Sequence, residues 1–467
     1  MKGYSSLFLF LLFVTYPSLA QDTLNPYSNV DSAFVGSRFE KTNPETLTEM
    51  DEFVRKMSES NRKDHQCIVA FKNVSIVDAK NNTIKKHRTV IQQDGIIIKI
   101  GFSLFTSHKG AEVINCNGKY LAPGLTDMHV HFMCTNRDRI QYILYGVTSI
   151  RNMSGSPYHL ADKDFIYSKE ILSPRLYTSG PPLTSGNGTF MSQIVNDTSS
   201  ARNAVRAQYK EGYDFIKTDK RLNDTCLYVV LDEALKLGMR VAAELPDNVD
   251  LSKLAEYKSI LTIEGFSGKL KDKKQLASMA TAGIPHCPNF VSTAAVIQTK
   301  TRKAFVEKPE ALIASDKQRA LLETNLTEFI NYVRPEYRSK VSFYKSYFKN
   351  GGELLLGSES GLIIPMLIPG ASLHDELKSM QLLGLKNNEI ILAATENAAN
   401  VLRRSPDELQ LLNGTISEGA ISDMVLLSAN PLEHIENYKS ITGVMINGTW
   451  LPSKSLAGIR KGLEKIR

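Results

Sequence analysis

The spacing of hydrophobic and polar positions changes twice along the chain. From 67 to 122, short runs rich in Val and Ile are separated by turns containing Asn, Asp and Gly, which is typical of β-strands. From about 120 to 404, short apolar runs alternate with amphipathic stretches of helix length. The β pattern then returns in 414–431 and 441–451. The sequence therefore predicts an α/β segment enclosed by two β segments.

The middle segment contains eight strand-like runs, and most of them are separated by a predicted helix. This order predicts a parallel (β/α)₈ barrel of the TIM type, which needs roughly 250 residues. We expect the β segments on its two sides to pair into one small, β-sandwich-like domain. The predicted organisation is a signal peptide at 1–20, an N-terminal arm and helix at 21–64, a composite small β domain at 65–120 plus 405–467, and the barrel at 121–404.

The first twenty residues resemble a secretion signal. Lys2 precedes the apolar run 7–14. Ser18 and Ala20 are small residues at the −3 and −1 positions of a possible cleavage site, so cleavage before Gln21 is predicted. An uncleaved N-terminal anchor is the alternative. No later run reaches about 18 consecutive apolar residues, so we expect no membrane span in the mature chain. The expectation is an exported protein, periplasmic or secreted.

Composition narrows the class of partner. Hydrophobic residues make up 42% and charged residues 22% of the 467 positions, which suits a packed globular protein. The net charge of +7 comes without a dense Lys/Arg run, so we expect no nucleic-acid partner. The five cysteines are widely spaced and predict no disulfide framework. The sequence does not indicate an oligomeric state.

His129 and His131 are the strongest local chemical signal. Alternate residues of a strand project to one side, so the two imidazoles can bind one metal ion. They stand at the end of the predicted first barrel strand, and barrel active sites lie at the carboxyl ends of strands. The alternative is a histidine pair in the core or in solvent.

Two longer segments carry a resemblance to a known family. GKYLAPGLTDMHVHF at 118–132 and GTISEGAISDMVLLSANPLEHIEN at 414–437 resemble the opening and the closing segments of the amidohydrolase superfamily. The resemblance covers roughly residues 65–455, and the sequence is similar to the prolidase-like and imidazolonepropionase-like members of the superfamily. This resemblance implies a metal-dependent hydrolase that has an atypical metal site and acts on a small-molecule substrate.

The resemblance also implies roles for single residues. His129 and His131 match the metal ligands of the first strand. Lys217, in GYDFIKTD, matches a lysine that is carboxylated and bridges two metals in binuclear members. A buried lysine without a metal is the alternative reading of Lys217. His286 and Cys287 are candidate substitute ligands, against ordinary packing.

Three positions depart from the pattern of the superfamily. Glu244 replaces a histidine ligand after the fifth strand, Gly265 replaces another after the sixth, and Glu359 replaces the catalytic aspartate after the eighth. Glu244 is still predicted as a metal ligand, and Glu359 as the catalytic group that accepts a proton. The predicted cofactor is a divalent metal: zinc, or alternatively manganese or iron, with one ion, two or none.

Together these features predict an exported hydrolase that acts on carbon–nitrogen bonds, in non-peptide or dipeptide-like amides, through metal-activated water. The alternative is a catalytically degenerate barrel that binds a small molecule or a protein partner.

Overall fold

A computed structural model describes residues 68–188, 191–246, 249–265, 273–292, 327–361, 367–403 and 414–465. All of them belong to one structural unit, Glu49–Arg467. The other unit, Met1–Thr48, lies outside the described residues, and so do the predicted signal peptide and N-terminal arm.

The described chain is a mixed α/β fold. In chain order its strands are β1 Ile68–Asp78, β2 Thr83–Gln93, β3 Ile96–Phe102, β4 Glu112–Asn115, β5 Tyr120–Pro123, β6 Leu125–His131, β7 Val147–Asn152, β8 Arg175–Thr178, β9 Leu183–Thr184, β10 Gln193–Ile194, β11 Ile216–Thr218, β12 Val241–Ala243, β13 Ile260–Glu264, β14 His286–Cys287, β15 Ser360–Gly361, β16 Met424–Leu427, β17 Ile441–Ile446 and β18 Thr449–Pro452.

Helices follow most strands of the middle segment. They are α1 Asn136–Leu144, α2 Pro157–Tyr167, α3 Thr198–Glu211, α4 Asp224–Lys236, α5 Leu251–Leu254, α6 Lys273–Thr281, α7 Thr327–Lys349, α8 Ala371–Gln381, α9 Asn387–Ala393, α10 Glu396–Leu402 and α11 Ser453–Lys465, with a 3₁₀ helix at Ile435–Lys439. The sequence predicted one helix over 387–402, whereas the structure has α9 and α10, which are separated at Ala394 and Thr395.

Strands from the two ends of the described chain form one sheet. Its order is β18-β17-β16-β5-β1-β2-β3, and β4 pairs with β1. The junction is the antiparallel pair β5–β16, in which Ala122 faces Val425. Its core includes Val69, Phe71 and Leu426. The pairing places all eight strands in a single sheet, where the sequence predicted a sandwich-like arrangement.

The middle segment contributes two parallel sheets. One has the order β15-β6-β7-β8 and the other β10-β9-β11-β12-β13-β14. Their strands are almost wholly buried, as in β7 and β13, because helices cover parallel sheets. The strand pairings divide these strands into two sheets and do not by themselves delineate the single closed barrel that the sequence predicted.

Helix α3 shows how the local sequence defines these elements. The Asp197 side chain accepts the N–H groups of Ser199 and Ser200, and Gly212 ends the helix in the left-handed region at φ 92°. Such an N-cap stabilises a helix by about 1 kcal/mol. The buried residues Ala201, Ala204, Val205 and Gln208 lie three or four positions apart and form the face that packs on the core.

Gly155, in the loop after β7, leaves no room for a side chain. An added Cβ would lie 1.6 Å from the carbonyl oxygen of Ser179. We therefore expect Gly155→Ala to lower the free energy of unfolding by about 2 kcal/mol or more, because the neighbouring backbone must move. Urea unfolding measures the change. The control is Gly458→Ala in α11, where an added Cβ meets nothing within 4 Å; it should stabilise by up to about 1 kcal/mol. Equal stabilities would contradict the packing described.

Two further observations concern the cysteines and membranes. Cys116, Cys134, Cys226 and Cys287 are free thiols, and Cys67 lies outside the described residues.

Within the described part of the chain, no helix combines the length and the apolar character that crossing a bilayer requires.

Candidate active site

Three possible metal ligands meet at the carboxyl end of β6. The ligand atoms of His129, His131 and Glu359 all lie within 4.8 Å of one another. The two imidazoles come from the same strand, two residues apart, so they share one side of it. Glu359 stands just before β15, which pairs with β6, and its N–H donates to the carbonyl oxygen of His129 at 2.7 Å. The structure thus unites the two predicted histidines with the predicted catalytic carboxylate.

Glu359 adopts a backbone conformation that side chains other than glycine rarely occupy. Its φ is +55°, which costs of the order of 1 kcal/mol for a residue of this kind. Two positions later, Gly361 has φ +134°, and a Cβ there would lie 2.0 Å from the carbonyl oxygen of His131. The Glu359 side chain is therefore held beside the histidines by a strained turn that is tightly fitted to β6.

Asp127 in β6 holds the same turn through hydrogen bonds to Ser358. Its carboxylate accepts the N–H and the hydroxyl of Ser358, and both side chains are buried. Burial raises the pKa of Asp127 to about 6, and the hydrogen bonds from Ser358 and His129 oppose that rise. The turn that carries Glu359 is thus tied to β6 by buried polar contacts as well as by the backbone.

His129 is surrounded by buried charge. Its Nδ1 lies 2.7 Å from Oε2 of Glu264, whose Oε1 accepts from Nη2 of Arg151 at 2.6 Å. All three side chains are fully buried. Burial acts to raise the pKa of Glu264, but the guanidinium of Arg151 and the contact with His129 lower it to about 2. Glu264 is therefore a carboxylate anion.

His131 is held by a different partner. Its Nδ1 lies 3.0 Å from the hydroxyl of Ser154. Burial, and then the nearby charges of His129 and Lys217, lower the pKa of His131 to about 3. The imidazole is therefore neutral at ordinary pH, which is the form that binds metals.

Lys217 and Glu244 contact each other. The Lys217 Nζ lies 2.6 Å from Oε1 of Glu244 and also donates to the carbonyl oxygen of Thr218 at 3.2 Å. Both were predicted as metal ligands. The cluster of histidine and carboxylate ligand atoms comprises His129, His131 and Glu359 and does not include Glu244, and the Lys217 amine is occupied by its contact with the Glu244 carboxylate. The structure places the Lys217–Glu244 ion pair at the ends of the neighbouring strands β11 and β12.

The candidate substitute ligands His286 and Cys287 are not part of the cluster. At Gly265, where the resemblance implies a missing ligand, an added Cβ would have only an Asn289 nitrogen within 4 Å. His286 packs on Tyr347, with ring centroids 4.2 Å apart. The thiol of Cys287 donates to Oδ1 of Asn289. His286 and Cys287 therefore take part in packing and hydrogen bonding.

Sequence reasoning missed the roles of Arg151 and Glu264. It gave neither residue a function. The signal that was present is a charged residue in each of two strands, VTSIRN and ILTIE, that the structure buries completely. Because an unpaired buried charge is costly, each of the two implies a partner of the opposite sign.

The residues of the cluster suit a divalent metal. Nε2 of His129 is buried, has no hydrogen-bond partner among the described residues and lies 4.0 Å from Oε1 of Glu359. Two histidine imidazoles and one carboxylate are a ligand set that zinc accepts, and manganese or iron are also compatible. A bound cation would supply the partner that Nε2 of His129 lacks.

Solved structures of similar fold were found by comparison. A bottromycin amidohydrolase aligns with a TM-score of 0.71 at 18% identity, over 92% of this chain and 96% of that one. A prolidase complexed with N-methylphosphonate-L-proline aligns with a TM-score of 0.67 at 20% identity, over 82% and 99%. The ochratoxinase of A. niger aligns with a TM-score of 0.63 at 18% identity, over 84% and 97%.

Sequence comparison gives shorter matches. A dihydroorotase of Trichlorobacter lovleyi is 52% identical over 42 residues, and one of Halalkalibacterium halodurans is 47% identical over 60. The chain spans only 10% and 13% of the length of these curated relatives. No family model matches the chain. The structural neighbours agree with the predicted resemblance at the level of the fold: the chain shares the fold of the bottromycin amidohydrolase and the prolidase.

Proposed function

We propose that the chain is a hydrolase that cleaves carbon–nitrogen bonds of small amides or dipeptide-like molecules, with one divalent metal held by His129, His131 and Glu359. The observation that carries this proposal is the meeting of these three side chains around the unpartnered Nε2 of His129. The bottromycin amidohydrolase and the prolidase, which share the fold, support a substrate of this class.

The proposal includes one closed barrel made from the two parallel sheets. The N–H of Leu355 donates to the carbonyl oxygen of His286, and the N–H of Met128 donates to that of Leu356, both at 2.8 Å. The segment 353–358 therefore bonds to β14 on one side and to β6 on the other. A parallel bridge between Ser179 and Phe215 joins the sheets at β8 and β11. These bonds support closure around a common axis.

The chain's own residues provide the rest of the reaction. A divalent metal, when bound, lowers the pKa of water and polarises the substrate carbonyl. The Glu359 carboxylate is about one quarter exposed, so water and substrate can reach it. Glu359 accepts the proton that water loses and delivers it to the leaving nitrogen. Contacts with Glu264 and Ser154 hold the imidazoles of His129 and His131 in position.

The Lys217–Glu244 ion pair favours a single ion. A carboxylated lysine is an anion and would face the Glu244 carboxylate across the 2.6 Å that now separates ammonium from carboxylate. Like charges at that distance repel, whereas the present pair attracts. An ammonium at the side of the site also repels a second cation. We therefore propose that Lys217 stays uncarboxylated and that no second metal binds.

The same observations are compatible with a second candidate, a barrel that binds a ligand without turning it over. The replacement of two histidine ligands by Glu244 and Gly265 favours this alternative. Metal content and turnover separate the two functions, because a binding protein needs neither.

We expect one equivalent of metal per chain. Elemental mass spectrometry on protein supplied with zinc and manganese measures it, beside His129→Ala, which should hold less than about 0.1 equivalent because it removes one of three ligands. The zinc-loaded chain should hydrolyse members of a panel of N-acyl amino acids and Xaa-Pro dipeptides. His434→Ala, at a position outside the site, is the control and should keep the metal.

Each outcome bears on a different statement. Two equivalents, with activity that rises on addition of bicarbonate, would contradict the single ion and the uncarboxylated Lys217. A metal-free wild type would contradict the hydrolase. One equivalent without turnover on any amide would favour the binding function.

A further inference from the structure

The two ring nitrogens of His129 lie in opposite environments. Nδ1 lies 2.7 Å from Oε2 of Glu264 and 2.9 Å from Nδ2 of Asn289, whereas Nε2 has no hydrogen-bond partner among the described residues. The side chains of His129 and Glu264 are both fully buried. The position of the hydrogen on the ring therefore determines which of the two nitrogens can bind a metal.

The Glu264 carboxylate determines that placement. An ionised carboxylate only accepts hydrogen bonds, so the nitrogen 2.7 Å from it carries the hydrogen. The Asn289 amide nitrogen, 2.9 Å from the same Nδ1, is a weaker competitor because it carries no charge. With the hydrogen on Nδ1, the lone pair that a metal needs lies on Nε2. Nε2 is the nitrogen nearest Glu359, at 4.0 Å from Oε1. His129 is thus set in the tautomer that binds a metal between itself and Glu359.

Arg151 prevents the Glu264 carboxylate from turning away. Its Nη2 donates to Oε1 of Glu264 at 2.6 Å, and its Nη1 donates to the hydroxyl of Thr262 at 2.9 Å. Its Nε donates to the carbonyl oxygen of Met128, the residue before His129, at 2.7 Å. The guanidinium therefore joins β7, β13 and β6 around the imidazole, with no exposure to solvent.

Gly265 makes this contact more important. It follows Glu264 and offers no side chain to a ligand. The carboxyl end of β13 therefore acts on the cluster through Glu264, one residue earlier than the position where the superfamily resemblance places a ligand.

We propose that Glu264, held by Arg151, is a positioning residue that fixes the tautomer and orientation of His129 and so sets the affinity of the site for its metal. This inference rests on the proposed function only in so far as the site binds metal, and it does not require turnover. Carboxylates that hold metal-binding histidines in this way contribute about 10- to 100-fold to metal affinity.

The test is the zinc affinity of Glu264→Gln, measured by competition with a chromophoric chelator. We expect about 10- to 100-fold weaker binding than in the wild type and a changed visible absorption spectrum of the cobalt-loaded protein. The matched control is Asp423→Asn. Asp423 is also a buried carboxylate paired with an arginine, 2.7 Å from Nε of Arg175, but it lies beside β16 in the other sheet. Its zinc affinity and cobalt spectrum should equal those of the wild type.

A second variant guards against misfolding of the first. Arg151→Met combined with Glu264→Leu removes both charges and leaves apolar side chains of similar volume, a kind of replacement that buried ion pairs often tolerate. It should lose zinc affinity to the same degree while circular dichroism stays that of the wild type. Wild-type affinity in either folded variant overturns the positioning role. Tight zinc binding by the wild type without turnover overturns the proposed hydrolase and leaves this inference standing, whereas a wild type that binds no zinc overturns both.

Discussion

Glu359→Gln should lower kcat by about 100- to 10,000-fold on any amide that the wild type hydrolyses, because the amide cannot accept the proton of the attacking water. The substitution preserves the shape of the side chain that stands 4.0 Å from Nε2 of His129. The loss should therefore appear in kcat and in metal affinity, with little change in the free energy of unfolding. Steady-state kinetics at saturating zinc measure kcat, a zinc titration measures the metal affinity, and urea unfolding measures the free energy of unfolding.

Glu353→Gln is the matched control for this experiment. Glu353 lies on the same segment, six residues earlier, and its carbonyl oxygen accepts the N–H of His286. Burial raises the pKa of its carboxyl group, but it stands at the opposite end of the segment 353–359 from Glu359. Its kcat should stay within about twofold of the wild type. A Glu359→Gln chain with wild-type kcat would remove Glu359 from the proton-transfer role.

Glu359→Asp tests the departure from the aspartate implied by the resemblance. The shorter side chain withdraws the carboxylate by about 1.5 Å, one carbon–carbon bond, and misplacement of about 1 Å can cost about 100-fold in rate. Aspartate tolerates positive φ better than glutamate does, so the free energy of unfolding should stay the same or rise. A kcat above that of the wild type would indicate that the turn is already placed for aspartate.

The fold was predictable where the pattern is long and periodic. Of the eight strands predicted in the middle segment, seven correspond to β6, β7, β8, β11, β12, β13 and β14, and the helices predicted at 200–212 and 225–238 are α3 and α4. The eighth predicted run, 352–358, forms no strand of its own, and the short strands β9 and β10 were not predicted. The pairing of β5 with β16 joins segments about 300 positions apart; only the similar β character of the two segments indicated it. The break between α9 and α10 was missed because the apolar spacing continues through Ala394 and Thr395.

The site was predictable only in part. His129, His131 and Glu359 were found because ligand-type residues stand at strand ends, and the structure brings these three together. The Lys217–Glu244 ion pair could not be chosen from the sequence, because an inward lysine and an inward glutamate are each compatible with a metal ligand and with a salt bridge. The Arg151–Glu264–His129 contacts depend on how three strands face one another across the interior, which no local pattern encodes.

His286 should make the protein sensitive to acid. Its ring is buried, and neither nitrogen has a hydrogen-bond partner among the described residues. Burial lowers the pKa of His286 to about 3, with the charge of Glu264 acting in the opposite direction. In the unfolded chain that pKa is about 6.5. Acid therefore protonates the unfolded state first, and stability that is fully present above about pH 6.5 is lost as the pH falls towards about 3.

We expect His286→Phe to reduce the loss of stability between pH 7.5 and pH 5 by about 2 kcal/mol, since each pH unit in this window is worth about 1.4 kcal/mol for one such group. Urea unfolding of the two chains at both pH values, with excess EDTA to exclude metal release, measures the difference. At pH 7.5 the variant should be at least as stable as the wild type, because phenylalanine leaves no unpaired nitrogen against Tyr347. His286→Leu separates titration from ring packing: it should be less stable at pH 7.5 yet show the same reduced dependence on pH. A wild-type pH dependence in both variants would show that His286 can be protonated in the folded state at little cost.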